Sequence, residues 1–180
     1  MRTPIRSPCT SPECVHLLPA RSSGRTVAAI VELPGEKVLL TMRAGVPFKG
    51  YWCLPGGKVG SKETIQKAVL REVKEETGLD TEIVGRIGEY HEKGFQDGIK
   101  YDFHPTCFIL KPVGGLIKPE KSEVKRIVII DISDIPSRLA FDHRRMIEDY
   151  IQKTGRTCGA RAGAPKLWTY GSAASHRSSS

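Results

Sequence analysis

The segment from Thr64 to Thr77 is predicted to form an amphipathic helix that carries acids on its core-facing side. Helix-forming residues run through it, Thr64 occupies the N-cap position, and Gly78 follows the last turn at the C′ position. At about 100° per residue, a stripe within about 60° of Glu72 contains Ile65, Ala68, Val69, Glu75 and Glu76. An ordinary surface helix would place its acids on the opposite side. The sequence therefore predicts three carboxylates at the end of an apolar stripe.

These three glutamates repel one another, so their face needs a counter-charge. Like charges at i, i+3 and i+4 destabilise a helix by about 0.2–0.5 kcal/mol per pair, and the helix C-terminus adds partial negative charge. Oxygen-only ligands favour a hard cation such as Mg²⁺ or Mn²⁺. The alternative is that Lys74–Glu76 belongs to an ordinary solvated helix face. The loop Leu54–Gly57 favours the cation site, because glycine backbone lets a carbonyl turn toward a metal and amides approach a phosphate.

The other periodic segments predict a mixed sheet with helices on its faces. A hairpin turning at 34–36 and three later strands are expected, at Thr26–Leu33, Lys37–Arg43, Thr81–Glu92, Ile99–Lys111 and Val124–Asp131. A closing helix is predicted over Phe141–Lys153, before Gly155. The resulting order β, β, α, β, β, β, α is typical of an α/β domain. We place this domain at residues 25–153, between a flexible N-terminal arm at 1–24 and a flexible C-terminal tail at 154–180.

The formal charge of +8 lies mostly in the predicted arm and tail. Residues 1–25 carry four arginines and one glutamate, residues 154–180 carry four basic residues and no acid, and 20 basic and 19 acidic residues remain between them. A nearly neutral domain argues against a dedicated nucleic-acid-binding face. The apolar runs are far shorter than the roughly 18 residues of a membrane span, so no membrane association is expected.

The five cysteines are scattered and odd in number, which favours free thiols over a disulfide framework. A reducing compartment is the simpler interpretation, and we expect a cytoplasmic protein. Cys9 and Cys14 have no second pair nearby, so two free thiols in the arm are favoured over a zinc site.

The residues from Gly57 to Leu79, GKVGSKETIQKAVLREVKEETGL, resemble the signature sequence of the Nudix hydrolases. Its fixed positions are matched by Gly57, Glu63, Arg71, Glu72, Glu75, Glu76 and Gly78, and two apolar positions by Val73 and Leu79. The resemblance implies an α/β/α sandwich, with a mixed β-sheet between helices, over the core but neither end of the chain. It also implies Mg²⁺-dependent or Mn²⁺-dependent hydrolysis of a phosphoanhydride bond in a nucleoside diphosphate linked to another moiety.

The resemblance further implies roles for individual residues. Glu72 and Glu76 are the leading metal ligands, Glu75 would share a further ion, and the Gly56 carbonyl would complete a coordination shell. Arg71 would hold the Glu63 and Glu72 carboxylates in place, and Gly78 would support the helix end. The catalytic set is thus Arg71, Glu72 and Glu75. Either a cluster glutamate or the loop residue Glu123 would accept the proton of the attacking water.

Substrate contacts are predicted at Arg43, Trp52 and Gly57, although core packing accounts equally well for the aromatic residues between 48 and 52. The segment Ala140–His143 resembles a stretch that precedes the last helix in ADP-ribose and nucleoside-triphosphate hydrolases of the family. Phe95 stands where some subfamilies place a proline or tyrosine. These features favour a nucleotide-pool or ADP-ribose-type pyrophosphohydrolase.

Two other functions are compatible with the same scaffold. One is a module that binds or senses a nucleotide or ADP-ribose without turnover, and the other is an isomerase. The complete carboxylate set favours hydrolysis, because a sensor has no need to keep every charge. The expected partner is a small nucleotide substrate, and a homodimer is possible because dimers are usual among similar proteins.

Overall fold

The computed structural model of the chain describes residues 20–118 and 122–156, together with the backbone of 168–169. The sheet within these residues has nine strands. In chain order the elements are β1 (Ala20–Leu33), β2 (Lys37–Arg43), β3 (Trp52–Cys53), β4 (Gly56–Lys58), α1 (Ile65–Thr77), β5 (Leu79–Glu89), β6 (Glu92–Gln96), β7 (Ile99–Gly115), β8 (Val124–Asp131), a 3-10 helix (Ile132–Asp134), α2 (His143–Thr154) and β9 (Trp168–Thr169).

The strands form one mixed sheet with the order β5-β7-β1-β2-β8-β9. At its centre β1 and β7 run parallel, from the pair Ala20 and Ile99 to the pair Val31 and Leu110. The β1–β2 hairpin, which the sequence predicts, is antiparallel. Three short strands lie off this path, since β3 pairs with β2, β4 with β1 and β6 with β7. The sheet is therefore mixed, as predicted.

Side chains of β1 alternate between two buried clusters, one on each face of the sheet. Odd-numbered residues from Val27 to Val31 join the cluster on the α1 side, and Ala28 and Ile30 join the cluster on the α2 side. The helices contribute Ala68, Val69 and Val73 to the first cluster and Met146, Ile147 and Tyr150 to the second. A central sheet covered by one helix on each face confirms the predicted α/β/α sandwich.

β1 begins at Ala20, whereas the sequence predicts a strand from Thr26. Apart from Ala20, residues 20–25 are polar or glycine, and they show no apolar alternation that would indicate a strand. Their backbone pairs instead with residues 99–104 of β7. Long-range pairing thus overrides a weak local pattern, and residues 20–24 belong to the sheet rather than to the predicted arm.

Two further element boundaries differ from the prediction. The run predicted as one strand over Thr81–Glu92 is divided into β5 and β6, and β5 shifts its register against β7 near Gly85 and Gly88. α2 begins at His143 rather than at Phe141, because Phe141 has a φ of 51°, which lies outside the helical region. Local periodicity reveals neither the bulges nor the left-handed residue.

Two residues of the predicted C-terminal tail pair with the sheet. The backbone of Trp168 and Thr169 forms β9, opposite Ile129 and Val128 of β8. Without β9, β8 would be an edge strand with unpaired backbone groups, which are favourable pairing positions for any nearby chain. These two residues therefore form a short strand that no local pattern in the sequence predicts.

The predictions for cysteines and membrane spans can be compared with the described residues. Cys53 and Cys107 are buried free thiols, as expected. Burial raises the pKa of the Cys53 thiol to about 12, so the thiol stays protonated at neutral pH. The other cysteines lie outside the described residues. Within those residues, no helix is both long enough and apolar enough to cross a membrane.

Candidate active site

α1 presents two carboxylates at the end of its buried face. The Thr64 hydroxyl accepts a hydrogen bond from the Lys67 N–H at 3.2 Å and caps the helix, and Gly78 ends it in the left-handed region with a φ of 79°. Glu72 and Glu76 are only 5% and 7% exposed. Their burial confirms the prediction that the core-facing side of α1 ends in acidic residues. The alternative of a solvated acidic face is wrong for these two residues.

The backbone of β4 lies against these carboxylates. Gly56 N–H donates to Glu76 Oε2 at 3.0 Å. A Cβ at Gly56 would lie 2.1 Å from the Val27 carbonyl oxygen, so only glycine permits this approach to β1. A Cβ at Gly57 would lie 2.5 Å from the Glu72 carboxylate. Gly56 therefore permits the close approach of β4 to β1, and Gly57 leaves the space that the Glu72 carboxylate occupies.

Arg71 connects the carboxylates of the cluster. Its Nη2 and Nε donate to the two Glu63 oxygens at 2.6 and 3.1 Å, which is a bidentate arrangement. Its Nη1 donates to Glu72 Oε1 at 2.9 Å and to Glu75 Oε2 at 3.3 Å, and its Nη2 also donates to the Lys58 carbonyl at 3.2 Å. The hydrogen bonds to Glu63 raise the pKa of Arg71 above its ordinary value, so the guanidinium remains charged. This geometry orients the Glu72 side chain.

The buried carboxylates open into a cleft of about 440 Å³, a volume typical of small-molecule sites. The structure brings most predicted site residues to this cleft, namely Arg43, Gly56, Gly57, Glu72, Glu76 and Glu123. Arg43 Nε donates to the Pro47 carbonyl at 2.7 Å, which restrains the guanidinium where it borders the cleft. The cleft thus combines carboxylates with a restrained cation.

Other predicted site residues do not line the cleft among the residues that the structure describes. Trp52 packs against the buried cluster on the α2 side, which agrees with the core-packing alternative. The Glu75 side chain is 33% exposed and contacts Arg71. Glu63 and Arg71 lie behind Glu72, and Gly78 lies at the helix end. Trp52 is therefore not placed to stack on a ligand in the cleft.

A buried carboxyl group and a buried imidazole also line the cleft, and neither was predicted as a site residue. Asp142 N–H donates to Glu92 Oε1 at 3.3 Å, and burial raises the pKa of Glu92 to about 7. His143 Nε2 lies 3.8 Å from the same oxygen. Leu54 N–H donates to His143 Nδ1 at 2.9 Å, and burial lowers the pKa of His143 to about 3, so the ring is neutral. The only sequence signal was the segment Ala140–His143.

Aromatic side chains border the cleft beside Arg43. The Phe141 ring centroid lies 4.6 Å from that of Phe48 and 5.4 Å from that of Tyr101, and the Arg43 guanidinium carbon lies 5.1 Å from it. Phe48 and Phe141 have φ values of 65° and 51°, which are rare for bulky residues. Such backbone strain occurs most often at functional sites. Phe103 also lines the cleft, so aromatic surface lies next to a cation.

Comparison with models of known protein families shows the family of this chain. The model of the NUDIX domain matches residues 22–150, which is well over half of the chain. The chain belongs to the Nudix hydrolase family. The resemblance carried by residues 57–79 and the predicted enzyme class are thereby confirmed.

Individual Nudix proteins resemble this chain over most of its domain. An ADP-ribose pyrophosphatase from Methanocaldococcus jannaschii is 38% identical over 117 residues, which cover 65% of this chain and 67% of that protein. A MutT NUDIX hydrolase from Burkholderia pseudomallei has a TM-score of 0.64 at 22% identity and covers 71% of this chain and 98% of its own. The NUDIX domain of NrtR from Shewanella oneidensis, solved with ADP ribose, has a TM-score of 0.61 at 23% identity, with coverages of 74% and 89%. The two structural comparisons show a shared fold.

The α1 carboxylates have the chemistry of ligands for the divalent metal that Nudix enzymes generally use. The donors that this helix places at the cleft are the carboxylates of Glu72 and Glu76. Such oxygen donors match a hard cation better than a thiophilic one. Burial of two acids one helical turn apart also creates a demand for positive charge at this position.

Proposed function

We propose that this Nudix hydrolase cleaves a phosphoanhydride bond in a nucleoside diphosphate linked to another moiety, such as ADP-ribose, an NDP-sugar or a (d)NTP. One observation carries the proposal: Glu72 and Glu76 are buried next to each other and share a cleft with Arg43 and Phe141. The carboxylates require a cation, Arg43 suits an anion, and the aromatic ring suits a planar base. A metal-bound nucleoside diphosphate supplies all three.

Mg²⁺ or Mn²⁺ would be held by Glu72 and Glu76, with the Gly56 carbonyl and Glu75 as further ligands. Bound there, the ion would neutralise the oxygens of the diphosphate and lower the pKa of the attacking water. Arg71 acts as a positioning residue, since its bidentate contact with Glu63 fixes the guanidinium that donates to Glu72. Gly57 borders the same cleft, and its backbone amide is the proposed contact for a phosphate oxygen.

Hydrolysis adds water across the bridging P–O bond, and a carboxylate must accept the proton that this water loses. The glutamates of the cluster (Glu72, Glu75 and Glu76) and Glu123 in the cleft remain the candidates predicted from sequence. Glu92 joins them because it lines the same cleft and its pKa is raised to about 7. His143 is unsuited to this role, because its Nδ1 accepts the Leu54 N–H and its burial opposes protonation.

ADP-ribose is the first substrate to test. The relative from Methanocaldococcus jannaschii that carries this activity in its name is 38% identical over 117 residues. Hydrolysis of ADP-ribose would give AMP and ribose 5-phosphate. The surface formed by Arg43 and Phe141 would then contact the adenosine or ribose phosphate half, while the diphosphate lies at the acidic cluster.

A substrate panel tests the proposal directly. The pure chain is incubated with Mg²⁺ and ADP-ribose, NDP-sugars, (d)NTPs, oxidised (d)NTPs and dinucleoside polyphosphates, and the products are separated by chromatography. We expect release of a nucleoside monophosphate that stops when EDTA is added. Tight nucleotide binding without any phosphate product would instead identify a sensor and refute the proposal.

Paired variants test the role of the cluster. Glu72→Gln and Glu76→Gln should each lower kcat by orders of magnitude, while circular dichroism shows an intact fold, because removal of one charge relieves repulsion. Glu82→Gln in β5 is the matched control, since Glu82 is exposed and does not line the cleft. Unchanged turnover in both cluster variants would remove this mechanism.

A further inference from the structure

We propose that His91, Asp102 and His104 form a second metal site, which binds a Zn²⁺-type ion. One possible ligand atom from each side chain lies within 4.8 Å of the other two. His91 Nε2 is 2.7 Å and His104 Nε2 is 3.6 Å from the same Asp102 oxygen. Donors about 2.1 Å from a tetrahedral zinc ion lie about 3.4 Å from one another. Small side-chain rotations therefore bring the three donors to zinc-binding distances.

Two of these side chains, Asp102 and His104, lie in β7, and His91 lies in the short connection between β5 and β6, directly before the β6–β7 ladder. Glu92 is opposite Phe103, and Tyr90 N–H donates to the Pro105 carbonyl at 2.9 Å, so His91 faces His104 across the strands. Asp102 and His104 are two positions apart in β7 and lie on one face. The two imidazole rings are stacked, with centroids 4.4 Å apart and planes within 8°. The rigid sheet thus pre-positions the ligands.

The ligand chemistry differs from that of the acidic cluster on α1. Two imidazoles with one carboxylate suit Zn²⁺ and similar ions, whereas carboxylates alone suit Mg²⁺. The hydrogen bond from His91 lowers the pKa of Asp102, which keeps the carboxylate in its ionised, metal-binding form. All three side chains are more than 40% exposed, with values of 53%, 42% and 59% in chain order. A fourth position therefore remains accessible to water or to an exogenous ligand.

The second site lies on the other face of β7 from the cleft. Phe103 and Pro105 line the cleft, and Asp102 and His104 occupy the alternate positions of the same strand. An ion bound by His91 and His104 would therefore lie apart from the carboxylate cluster, and the two sites would share no ligand. It would instead join the connection before β6 to β7, on the face of β7 that points away from the cleft.

Zinc titration of the full chain tests this site. Zn²⁺ is added against a competing chromophoric chelator, with millimolar Mg²⁺ present to occupy the carboxylate cluster. We expect one zinc ion per chain, and we expect His91→Gln and His104→Gln to weaken its binding by at least about tenfold. Equal zinc affinity in these variants and the unmodified chain, or no zinc uptake at all, would overturn the proposal.

Two controls separate this site from other zinc ligands. Lys93→Gln changes the charge beside Asp102 without removing a ligand and should retain zinc binding. A Cys9→Ser, Cys14→Ser double variant should also retain it, and loss of the ion in that variant would place the zinc at the cysteines instead. Imidazole ¹⁵N spectra of the unmodified chain give an independent readout. Zinc should shift the signals of His91 and His104, and unshifted signals would contradict the assignment even if a variant failed to fold.

Discussion

Replacing Glu92 by glutamine should stabilise the protein at alkaline pH and leave its stability unchanged in acid. Burial raises the pKa of this carboxyl group from an ordinary value of 4.5 to about 7. The folded chain therefore holds a proton between about pH 4.5 and pH 7 that the unfolded chain has released. The free energy of unfolding falls as pH rises through this window and reaches its lower plateau above about pH 7.

The size of this effect follows from the pKa difference between the folded and unfolded chains. A difference of about 2.5 corresponds to about 3 kcal/mol of unfolding free energy, since each pKa unit contributes about 1.4 kcal/mol. Glutamine keeps the oxygen that accepts the Asp142 N–H at 3.3 Å, but it never carries the buried charge. The variant should therefore gain about 3 kcal/mol at pH 8 and almost nothing at pH 4.

Urea unfolding of the metal-free protein in EDTA measures this difference at pH 4 and pH 8. Glu82→Gln serves as the control, because Glu82 is exposed and its substitution should change stability little at either pH. Equal stability of the Glu92→Gln variant and the unmodified protein at pH 8 would refute the reasoning. It would show that the carboxylate is ionised in the folded protein without cost.

Three other changes have defined outcomes. Gly56→Ala should lower the free energy of unfolding by about 1–3 kcal/mol or more in a urea titration, because its Cβ would lie 2.1 Å from a backbone oxygen. Gly45→Ala is the control: a Cβ there has no neighbour within 4 Å, so this variant should change little. Deletion of residues 1–19 should leave thermal stability and activity nearly intact, whereas deletion of residues 1–24 removes backbone pairing with β7 and should lower the melting temperature. Phe141→Ala should raise KM for the nucleotide about tenfold with a smaller change in kcat, because it removes a stacking surface worth about 1.4 kcal/mol. An unchanged KM would show that the base binds elsewhere.

The acidic cluster could be predicted from sequence because all its geometry is local. Thr64 and Gly78 define the ends of α1, and a fixed rotation per residue then places Glu72 and Glu76 on the face of the apolar stripe. The contacts of Arg71 follow from the same short segment, since the carboxylates that it contacts all lie within eight residues. The family resemblance added the expected chemistry to this geometry.

The other side of the cleft could not be predicted, because it depends on contacts between distant segments. Glu92 is buried by the backbone at Asp142, fifty positions away, and His143 is oriented by Leu54, 89 positions away. Neither contact has a local pattern. The sequence left two interpretations open for Trp52, contact with a ligand or packing against the core. Only contacts between distant segments show that it packs, partly buried, against the cluster on the α2 side.

The parallel pairing of β1 with β7 also had no sequence signal. Residues 21–24 are polar or glycine, and they become a strand only because the backbone of 100–103 is available beside them. Strand periodicity identifies side chains that alternate between core and solvent. A polar segment that pairs only through its backbone has no such alternation in its sequence. β1 therefore begins earlier in the chain than its side-chain pattern predicts.

The central claim is that Glu72 and Glu76 hold the divalent ion. Its most direct test is to measure Mn²⁺ binding at equilibrium by electron paramagnetic resonance and to assay the same samples for ADP-ribose hydrolysis. If Glu72 and Glu76 hold the divalent ion that hydrolysis requires, the unmodified chain binds Mn²⁺ and turns over, and Glu76→Gln loses both properties while it remains folded. Full Mn²⁺ affinity in Glu76→Gln, or undiminished turnover by the unmodified chain in EDTA, would contradict the account.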